Sequence, residues 1–498
     1  MMRASPIEED IELVKEYLQE PNTQISCEKL FQQLTLQRLG ELLFVEDQNQ
    51  RQENVLILSS AWKQVLGYPV TLQQLNSKEG IYLIRQGLLS EQYETQKVCC
   101  MAVEKLALWN PVSIETLKEQ KIIDRMLELI RDEDLELLKQ LKSAILCVFR
   151  MASQVTCEYV ASKLELCARG GNGVNTTTRT RALQLLIDWL VQFSNPTLAV
   201  SVCSILVEQL QSSSDVLFQL NILELLATFV SVENASSYVT NSGVLSTLYS
   251  FLSGDCAHMD NLQLRLLQSA ILKWIARVAS LEKVEQLVLI KPFLPLLGQL
   301  IDNREDLDKR ESAYYALSAI ASTRKGLEMV WNKELFISVL AGLDTPEERI
   351  RTACLYCIAS LLNSSDETSS KQLFEMYRKG PLLETLFSLA HQPFLSQSIA
   401  VFIVLEAIAE KDWGLRKIAS TAGVVDIIVN DVVDNKPLLD AKQKLASTLI
   451  RQESVSSILF GDARYLKLKD FANRFAIGSG QSRRLMRDPQ VDIATMRQ

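Results

Sequence analysis

Apolar residues recur along most of the chain at the spacing of amphipathic helices, and one short version of this pattern repeats. Each copy begins with two small or apolar residues, continues with two variable ones, and ends with an apolar and a small residue. The clearest copy occupies residues 316–321 (Ala-Leu-Ser-Ala-Ile-Ala). Others lie at residues 102–107, 147–152, 222–227, 271–276 and 404–409, with a looser copy at 357–362.

Neighbouring copies lie roughly 41 to 49 residues apart, which is the period of armadillo and HEAT repeats. A single repeat of this size cannot bury its apolar face alone, so successive repeats must stack around a continuous core. The sequence therefore predicts an all-α protein, a right-handed α-solenoid of armadillo or HEAT type. A gap of about 75 residues between the copies at 147 and 222 predicts a degenerate repeat at residues 182–191.

Most copies are followed by a short helix, a turn with Gly or Pro, and a new helix that opens with an apolar pair. This order favours the three-helix armadillo unit over the two-helix HEAT pair. A polar run at residues 46–54 is predicted to be a solvated loop, with a helix from Val55 onwards. Residues 168–180, rich in Gly, Asn and Thr, are predicted to be an irregular loop that includes Thr176.

Three regions follow from these patterns. Residues 1–80 are predicted to be N-terminal capping helices with a first degenerate repeat, and residues 81–475 to be armadillo- or HEAT-like repeats. Residues 476–498, which include Arg483, Arg484, Arg487 and Arg497, are predicted to be a disordered basic tail.

Composition narrows the classes of function. Hydrophobic residues make up 47% of the chain, and the net charge of −8 argues against nucleic acid, whose phosphates require clustered Lys and Arg. The first residues have no apolar signal sequence, and no apolar run reaches the ~18 residues of a membrane span. The ten cysteines fit buried thiols in a reducing compartment, so we expect a cytoplasmic or nuclear protein.

The sequence contains few residues that could form a catalytic site. The chain has two histidines, His258 and His391, each in a loop-like context and far apart in sequence. Cys354 and Cys357 are predicted to be core cysteines on one helix, and the neighbouring pair at residues 99–100 likewise. The Gly-Gly-Asn-Gly run at residues 170–173 lacks the flanking residues of a phosphate-binding loop. We expect no enzyme activity, cofactor, metal or small-molecule substrate.

The remaining candidate is the surface of the repeats. In a solenoid, the last helix of each repeat lines the concave face, where partners usually bind. Two positions are predicted to point there, namely the residue before each copy of the pattern and the third residue within it. The pairs are Met101 and Glu104, Asn221 and Glu224, Ala270 and Lys273, Tyr315 and Ser318, Tyr356 and Ala359, and Ile403 and Glu406.

The fourth position of the pattern distinguishes two kinds of partner. Armadillo proteins that hold extended peptides resemble one another in an Asn at this position, which grips the peptide backbone. Here it holds Lys105, Arg150, Leu225, Trp274, Ala319, Ser360 and Ala407. We therefore expect a folded partner rather than an extended peptide.

The C-terminal part of the chain resembles the proteasome non-ATPase regulatory subunit 5 family. The likeness is carried by short segments within the last ~100 residues and by one further similar segment at residues 85–89 (Arg-Gln-Gly-Leu-Leu). Those segments are residues 392–394, 407–409, Trp413, 423–425, 440–442, Leu445, 458–461 and 465–466.

This resemblance implies an assembly chaperone for the base of the 26S proteasome regulatory particle. Members of the family bind the C-terminal domain of one base ATPase, regulatory subunit 7, in a module with regulatory subunit 4 and non-ATPase subunit 2. The expected mechanism is steric, because the bound chaperone would block premature docking of the ATPase on the core particle. The alternative is an armadillo-type scaffold for an unrelated folded partner in trafficking or signalling.

Overall fold

The structure is a computed structural model that describes residues 6–44, 51–131, 134–170, 173–255, 259–281, 284–429 and 435–473. These residues form α-helices and short 3₁₀ helices joined by turns, and no strand occurs among them. The all-α prediction is confirmed. The chain divides into two compact units, Met1–Val244 and Leu245–Gln498.

The first unit contains fifteen α-helices within its described residues and a 3₁₀ helix at Leu129–Arg131. The α-helices are α1 (Pro6–Gln19), α2 (Gln24–Gln33), α3 (Leu36–Phe44), α4 (Arg51–Val65), α5 (Pro69–Leu75), α6 (Lys78–Leu89), α7 (Tyr93–Trp109), α8 (Ser113–Glu119), α9 (Ile122–Glu128), α10 (Leu135–Met151), α11 (Gln154–Arg169), α12 (Thr176–Gln192), α13 (Pro196–Ser212), α14 (Val216–Phe229) and α15 (Ala235–Asn241).

The second unit, in its described part, contains the helices from α16, which begins at the unit boundary, to α31, and 3₁₀ helices at Lys291–Phe293 and Gly342–Asp344. The α-helices are α16 (Val244–Ser253), α17 (Asn261–Ala279), α18 (Val284–Ile290), α19 (Leu294–Asp302), α20 (Leu307–Ala321), α21 (Arg324–Val330), α22 (Lys333–Ala341), α23 (Glu348–Ser364), α24 (Glu367–Glu375), α25 (Leu382–Ala390), α26 (Leu395–Ala409), α27 (Asp412–Ala419), α28 (Val424–Val429), α29 (Lys436–Leu449), α30 (Glu453–Phe460) and α31 (Asp462–Asn473).

In each unit the first helix of every repeat packs beside the first helix of the next. The first unit stacks α1, α4, α7, α10, α12 and α14 in this way, and the second unit stacks α17, α20, α23, α26 and α29. We call each of these stacks a long-helix layer. The repeated apolar pattern lies in these helices, and in α20 its first, second, fifth and sixth residues are fully buried.

The units differ in how many helices make a repeat. From α17 to α31 a long helix is followed by a short helix and then another helix, as the three-helix prediction requires. In the first unit, however, α10 with α11 and α12 with α13 are pairs of long helices. Neither α11 nor α13 has an internal Gly or Pro, so nothing in these segments breaks the second helix into two.

Two loop predictions are wrong in part. Helix α4 already begins at Arg51, because Arg, Gln and Glu favour helices and polarity alone does not end one; residues 46–50 lie outside the described residues. Thr176 is not in a loop but opens α12, where the side chain of Asn175 accepts a hydrogen bond from the Thr178 N–H at 2.8 Å. Residues 476–498, the predicted tail, and His258 also lie outside the described residues.

A buried polar side chain ties each of the long helices α14, α17, α20, α23, α26 and α29 to the segment before it. Gln219, Gln268 and Gln397 donate from Nε2 to carbonyl oxygens of Leu210, Phe251 and Leu389 at 2.9–3.0 Å. At the matching place α20 carries Arg310, α23 carries Arg351 and α29 carries Lys442. These contacts satisfy carbonyls that a helix end leaves without an intrahelical partner.

Glycine permits a very close approach where α21 and α27 cross the long helix before them. A Cβ atom at Gly326 would lie 1.9 Å from the carbonyl oxygen of Ile320, and one at Gly414 would lie 1.9 Å from that of Ile408. Both glycines are the third residue of their short helix. A side chain at either place would push the short helix away from its neighbour.

Candidate partner-binding face

The long-helix layers place the predicted contact residues in three different environments. Asn221 and Glu224 on α14, Lys273 on α17 and Tyr315 on α20 are exposed. Glu104 on α7, Ser318 on α20 and Tyr356 on α23 are half-buried. Glu406 on α26 is only 8% exposed.

In the first unit, several polar groups of the layer bind one another. The Glu104 carboxylate accepts hydrogen bonds from Gln140 Nε2 at 2.7 Å and from Ser143 Oγ at 3.0 Å, and thereby ties α7 to α10. Lys142 Nζ lies 2.5 Å from Asp188 Oδ2, and this pair ties α10 to α12. Glu104 therefore has a structural role within the layer.

In the second unit, an ion-pair network crosses the neighbouring long helices α17, α20 and α23 near their N-terminal ends. Arg265 Nη2 on α17 lies 3.3 Å from Asp308 Oδ2 on α20. The other oxygen of Asp308 lies 2.7 Å from Arg349 Nη1 on α23, and Arg349 Nη1 is also 3.7 Å from Glu311 Oε2. These side chains are partly exposed, so salt screens their attraction.

Two tyrosines follow this network along the same helices. Tyr315 is 41% exposed, and its pKa is raised by burial and by the nearby Glu311, Tyr356 and Glu348. The hydroxyl of Ser318 lies 3.4 Å from the carbonyl oxygen of Tyr356, so α20 holds the backbone that carries the second tyrosine. The two rings sit on adjoining helices, where they offer apolar area with a polar hydroxyl.

The next helix of the long-helix layer after α23 is α26, and it makes the face more apolar. Its side chains are buried on nearly every side, and Ile399 and Ile403 are half-buried. Glu406 is covered because Lys444 Nζ of α29 lies 3.0 Å from its Oε1. The half-buried isoleucines and the exposed Lys444 are therefore more accessible at this place than the Glu406 carboxylate.

Cys354, Cys357 and His391, which were considered as catalytic candidates, are buried in a helix or bound to the backbone at a helix end. Cys354 and Cys357 are fully buried in α23, and the Cys354 thiol donates to the carbonyl oxygen of Val339 at 3.0 Å. Burial raises the pKa of both thiols. His391 caps α25 with its Nδ1 2.7 Å from the Phe387 carbonyl oxygen. Among the described residues, no group of three His, Cys, Asp or Glu side chains could hold a metal ion.

Three further charged residues, Glu311, Glu348 and Arg349, lie beside the predicted contact residues and were not among them. Their helical spacing to the two tyrosines is a usable signal, because Glu311 precedes Tyr315 by four residues and Glu348 precedes Tyr356 by eight. The ion pairs across neighbouring helices depend on how the helices are staggered, which the sequence does not reveal.

Solved structures of low sequence identity share the fold. Yeast importin-β (Kap95p) is 14% identical, with a TM-score of 0.61 over 90% of this chain and 56% of that chain. Kap121p, solved bound to Nup53p, is 12% identical, with a TM-score of 0.62 over 95% of this chain and 50% of that chain. The chain thus spans about half the length of these two proteins, and the likeness concerns the fold alone.

The helix stacks and these neighbours define the class of protein as an α-solenoid of armadillo/HEAT type, as predicted. The family described as proteasome non-ATPase 26S subunit matches residues 4–476. Because the match covers most of the chain, the chain belongs to that family. No curated protein matches it by sequence. Among the described residues, no helix combines the length and apolarity needed to cross a membrane.

Proposed function

We propose that the chain is an assembly chaperone for the base of the 26S proteasome regulatory particle. Its direct partner would be the C-terminal domain of one base ATPase, regulatory subunit 7, in a module with regulatory subunit 4 and non-ATPase subunit 2. The observation that carries this proposal is membership of the proteasome non-ATPase 26S subunit family over residues 4–476. The resemblance of the last ~100 residues to the subunit 5 family supports the narrower assignment.

The proposed mechanism is steric and requires no catalysis or cofactor. The long-helix layers would hold the ATPase domain while the subassembly forms and would keep the ATPase off the core particle. The stack of helices within each unit suits this task, because stacked repeats give an extended surface that a folded domain can contact at several helices. The net charge of −8 favours encounter with a partner that has a basic face.

Direct binding tests the proposal. The purified chain is titrated with the isolated C-terminal domain of regulatory subunit 7, alongside the variants Glu224→Lys in the first unit and Tyr315→Ala in the second. Saturable one-to-one binding by the wild-type chain, weakened by at least one substitution, is the expected result. Since a central tyrosine is typical of binding hot spots, we expect Tyr315→Ala to weaken binding about tenfold or more.

A second measurement tests whether the bound chain prevents the ATPase from docking on the core particle. Docking of the ATPase subassembly on purified core particles is followed with and without the chain. The proposal requires the chain to lower docking in proportion to its occupancy of the ATPase domain. Absence of any binding to that domain would contradict the proposal and leave a solenoid scaffold for a different folded partner.

A further inference from the structure

Carboxylates and tyrosine rings share one place on the long-helix layer of the second unit. Glu311 and Tyr315 lie one turn apart on α20, and Glu348 precedes Tyr356 by about two turns on α23. Helices α20 and α23 pack directly against each other. We call these four residues the tyrosine–carboxylate patch.

The other three side chains of the patch are close enough to Tyr315 to act on it electrostatically. Burial raises the pKa of Tyr315, and Glu311, Tyr356 and Glu348 each raise it further. Burial likewise raises the pKa of Glu311, Arg349 opposes that shift, and Asp308 and Glu348 add to it. Tyr315 therefore lies on a partly exposed surface with the Glu311 and Glu348 carboxylates and the Tyr356 ring nearby.

The nearby cation does not fully neutralise this charge. Arg349 Nη1 makes its short contact with Asp308 at 2.7 Å and reaches Glu311 only at 3.7 Å. Glu348 Oε1 accepts one hydrogen bond, from Thr352 Oγ1 at 3.0 Å. Because an ionised carboxylate has about four acceptor positions, both glutamates keep capacity for a further donor.

The polar side chains on the long-helix layer of the first unit are arranged differently. There Glu104 accepts from two side chains of α10, and Lys142 is paired with Asp188. The polar groups of that layer hold its helices together. The tyrosine–carboxylate patch, in contrast, presents an exposed ring with two carboxylates nearby, and Arg349 makes its short contact with Asp308 rather than with Glu311.

We propose that the tyrosine–carboxylate patch binds a lysine or arginine side chain on the surface of the folded partner. The cation would lie against the Tyr315 ring and donate hydrogen bonds to Glu311 and Glu348. Cation–π contact and charge-assisted hydrogen bonds both favour this occupant. The half-buried Ile403 on the next helix would meet apolar surface beside the basic residue. This inference rests on the proposed function and names the chemistry of its binding site.

The test uses the full chain and the C-terminal domain of regulatory subunit 7, titrated at low and at high salt. Glu311→Gln keeps the shape of the side chain and removes its charge, so we expect binding to weaken about three- to tenfold at low salt. We expect Tyr315→Ala to weaken binding about tenfold or more at both salt concentrations. The matched controls are Glu305→Gln, an exposed carboxylate just before α20, and Tyr82→Ala, an exposed tyrosine on α6.

A charge exchange then identifies the partner's residue. Glu311→Lys should weaken binding, and one Lys→Glu or Arg→Glu change in the partner domain should restore it with this variant only. Binding that is unchanged in Glu311→Gln and Tyr315→Ala, while the wild-type chain binds, would overturn the inference and leave the proposed function standing. Equal losses in Glu311→Gln and Glu305→Gln would also overturn it, because the effect would then come from overall charge. No binding by the wild-type chain would overturn both.

Discussion

The guanidinium of Arg310 donates a 2.8 Å hydrogen bond from Nε to the carbonyl oxygen of Ile301, in the last turn of α19. Arg310 is only 4% exposed, and its guanidinium carbon lies 6.0 Å from the centre of the Tyr314 ring. A cation at a helix C-terminus is favoured by the helix dipole. This contact joins two successive repeats, because α19 is the last helix of one repeat and α20 the first helix of the next.

Replacing Arg310 should show how much this contact stabilises the second unit. Arg310→Ala leaves the buried Ile301 carbonyl without its donor and opens a cavity, so we expect a loss of about 3 kcal/mol. Arg310→Gln should cost about 1 kcal/mol, because Gln268 already makes the equivalent contact in α17. Urea unfolding measures both values, and equal losses in the two variants would contradict the role assigned to the hydrogen bond.

Two arginines on α23 should behave very differently. Arg351 is buried and donates to the carbonyl oxygens of Thr345 and Pro346 and to the Gln397 side chain at 2.7–2.8 Å. Arg351→Ala removes a buried guanidinium and its donors to the buried Gln397 side chain and to two partly buried carbonyl oxygens, so we expect a loss of about 3 kcal/mol. Arg349, two residues earlier, forms partly exposed ion pairs, so Arg349→Ala should cost less than about 1 kcal/mol.

Thermal or urea unfolding of the two arginine variants under the same conditions provides the comparison. High salt should reduce the small effect of Arg349→Ala and leave that of Arg351→Ala nearly unchanged, since screening acts mainly on exposed charges. A larger loss for Arg349→Ala than for Arg351→Ala would show that burial does not decide the ranking.

The repeat pattern predicted the fold well because burial imposes it directly. In residues 316–321 two buried residues are followed by two half-buried and two buried ones, as a packed amphipathic helix requires. The other copies of the pattern lie in α7, at the end of α10, and in α14, α17, α23 and α26. The burial of residues that bond to neighbouring helices was harder to predict. Gln268 and Arg310 are polar in sequence but buried, and Glu406 is covered by Lys444 from α29. Sequence periodicity describes one helix at a time, so it misses groups that bond between helices.

The short helix α21 depends on Gly326. Because a Cβ there would lie 1.9 Å from the Ile320 carbonyl oxygen, Gly326→Ala must separate α21 from α20. We expect a loss of about 2–4 kcal/mol, although alanine favours helices by about 1 kcal/mol over glycine. Gly298→Ala, where a Cβ would meet only a Leu335 side-chain atom at 3.7 Å, is the matched control and should be neutral or stabilising. Urea unfolding of both variants tests this, and a stabilised Gly326→Ala protein would contradict the close contact.

The buried thiol of Cys100 should make the first unit sensitive to alkali. Burial, and then the nearby Glu104, raise the pKa of Cys100 to about 12 from its ordinary value near 9.0. The unfolded chain therefore loses this proton at a lower pH than the folded chain, so the stabilisation is fully present below pH ~9 and is lost as pH rises towards ~12. In that window the group should lower the free energy of unfolding by about 1.4 kcal/mol per pH unit. Cys100→Ala removes this contribution, and its unfolding free energy should fall less steeply with pH than that of the wild-type chain. Parallel pH dependences in urea unfolding would show that the Cys100 thiol titrates alike in both states.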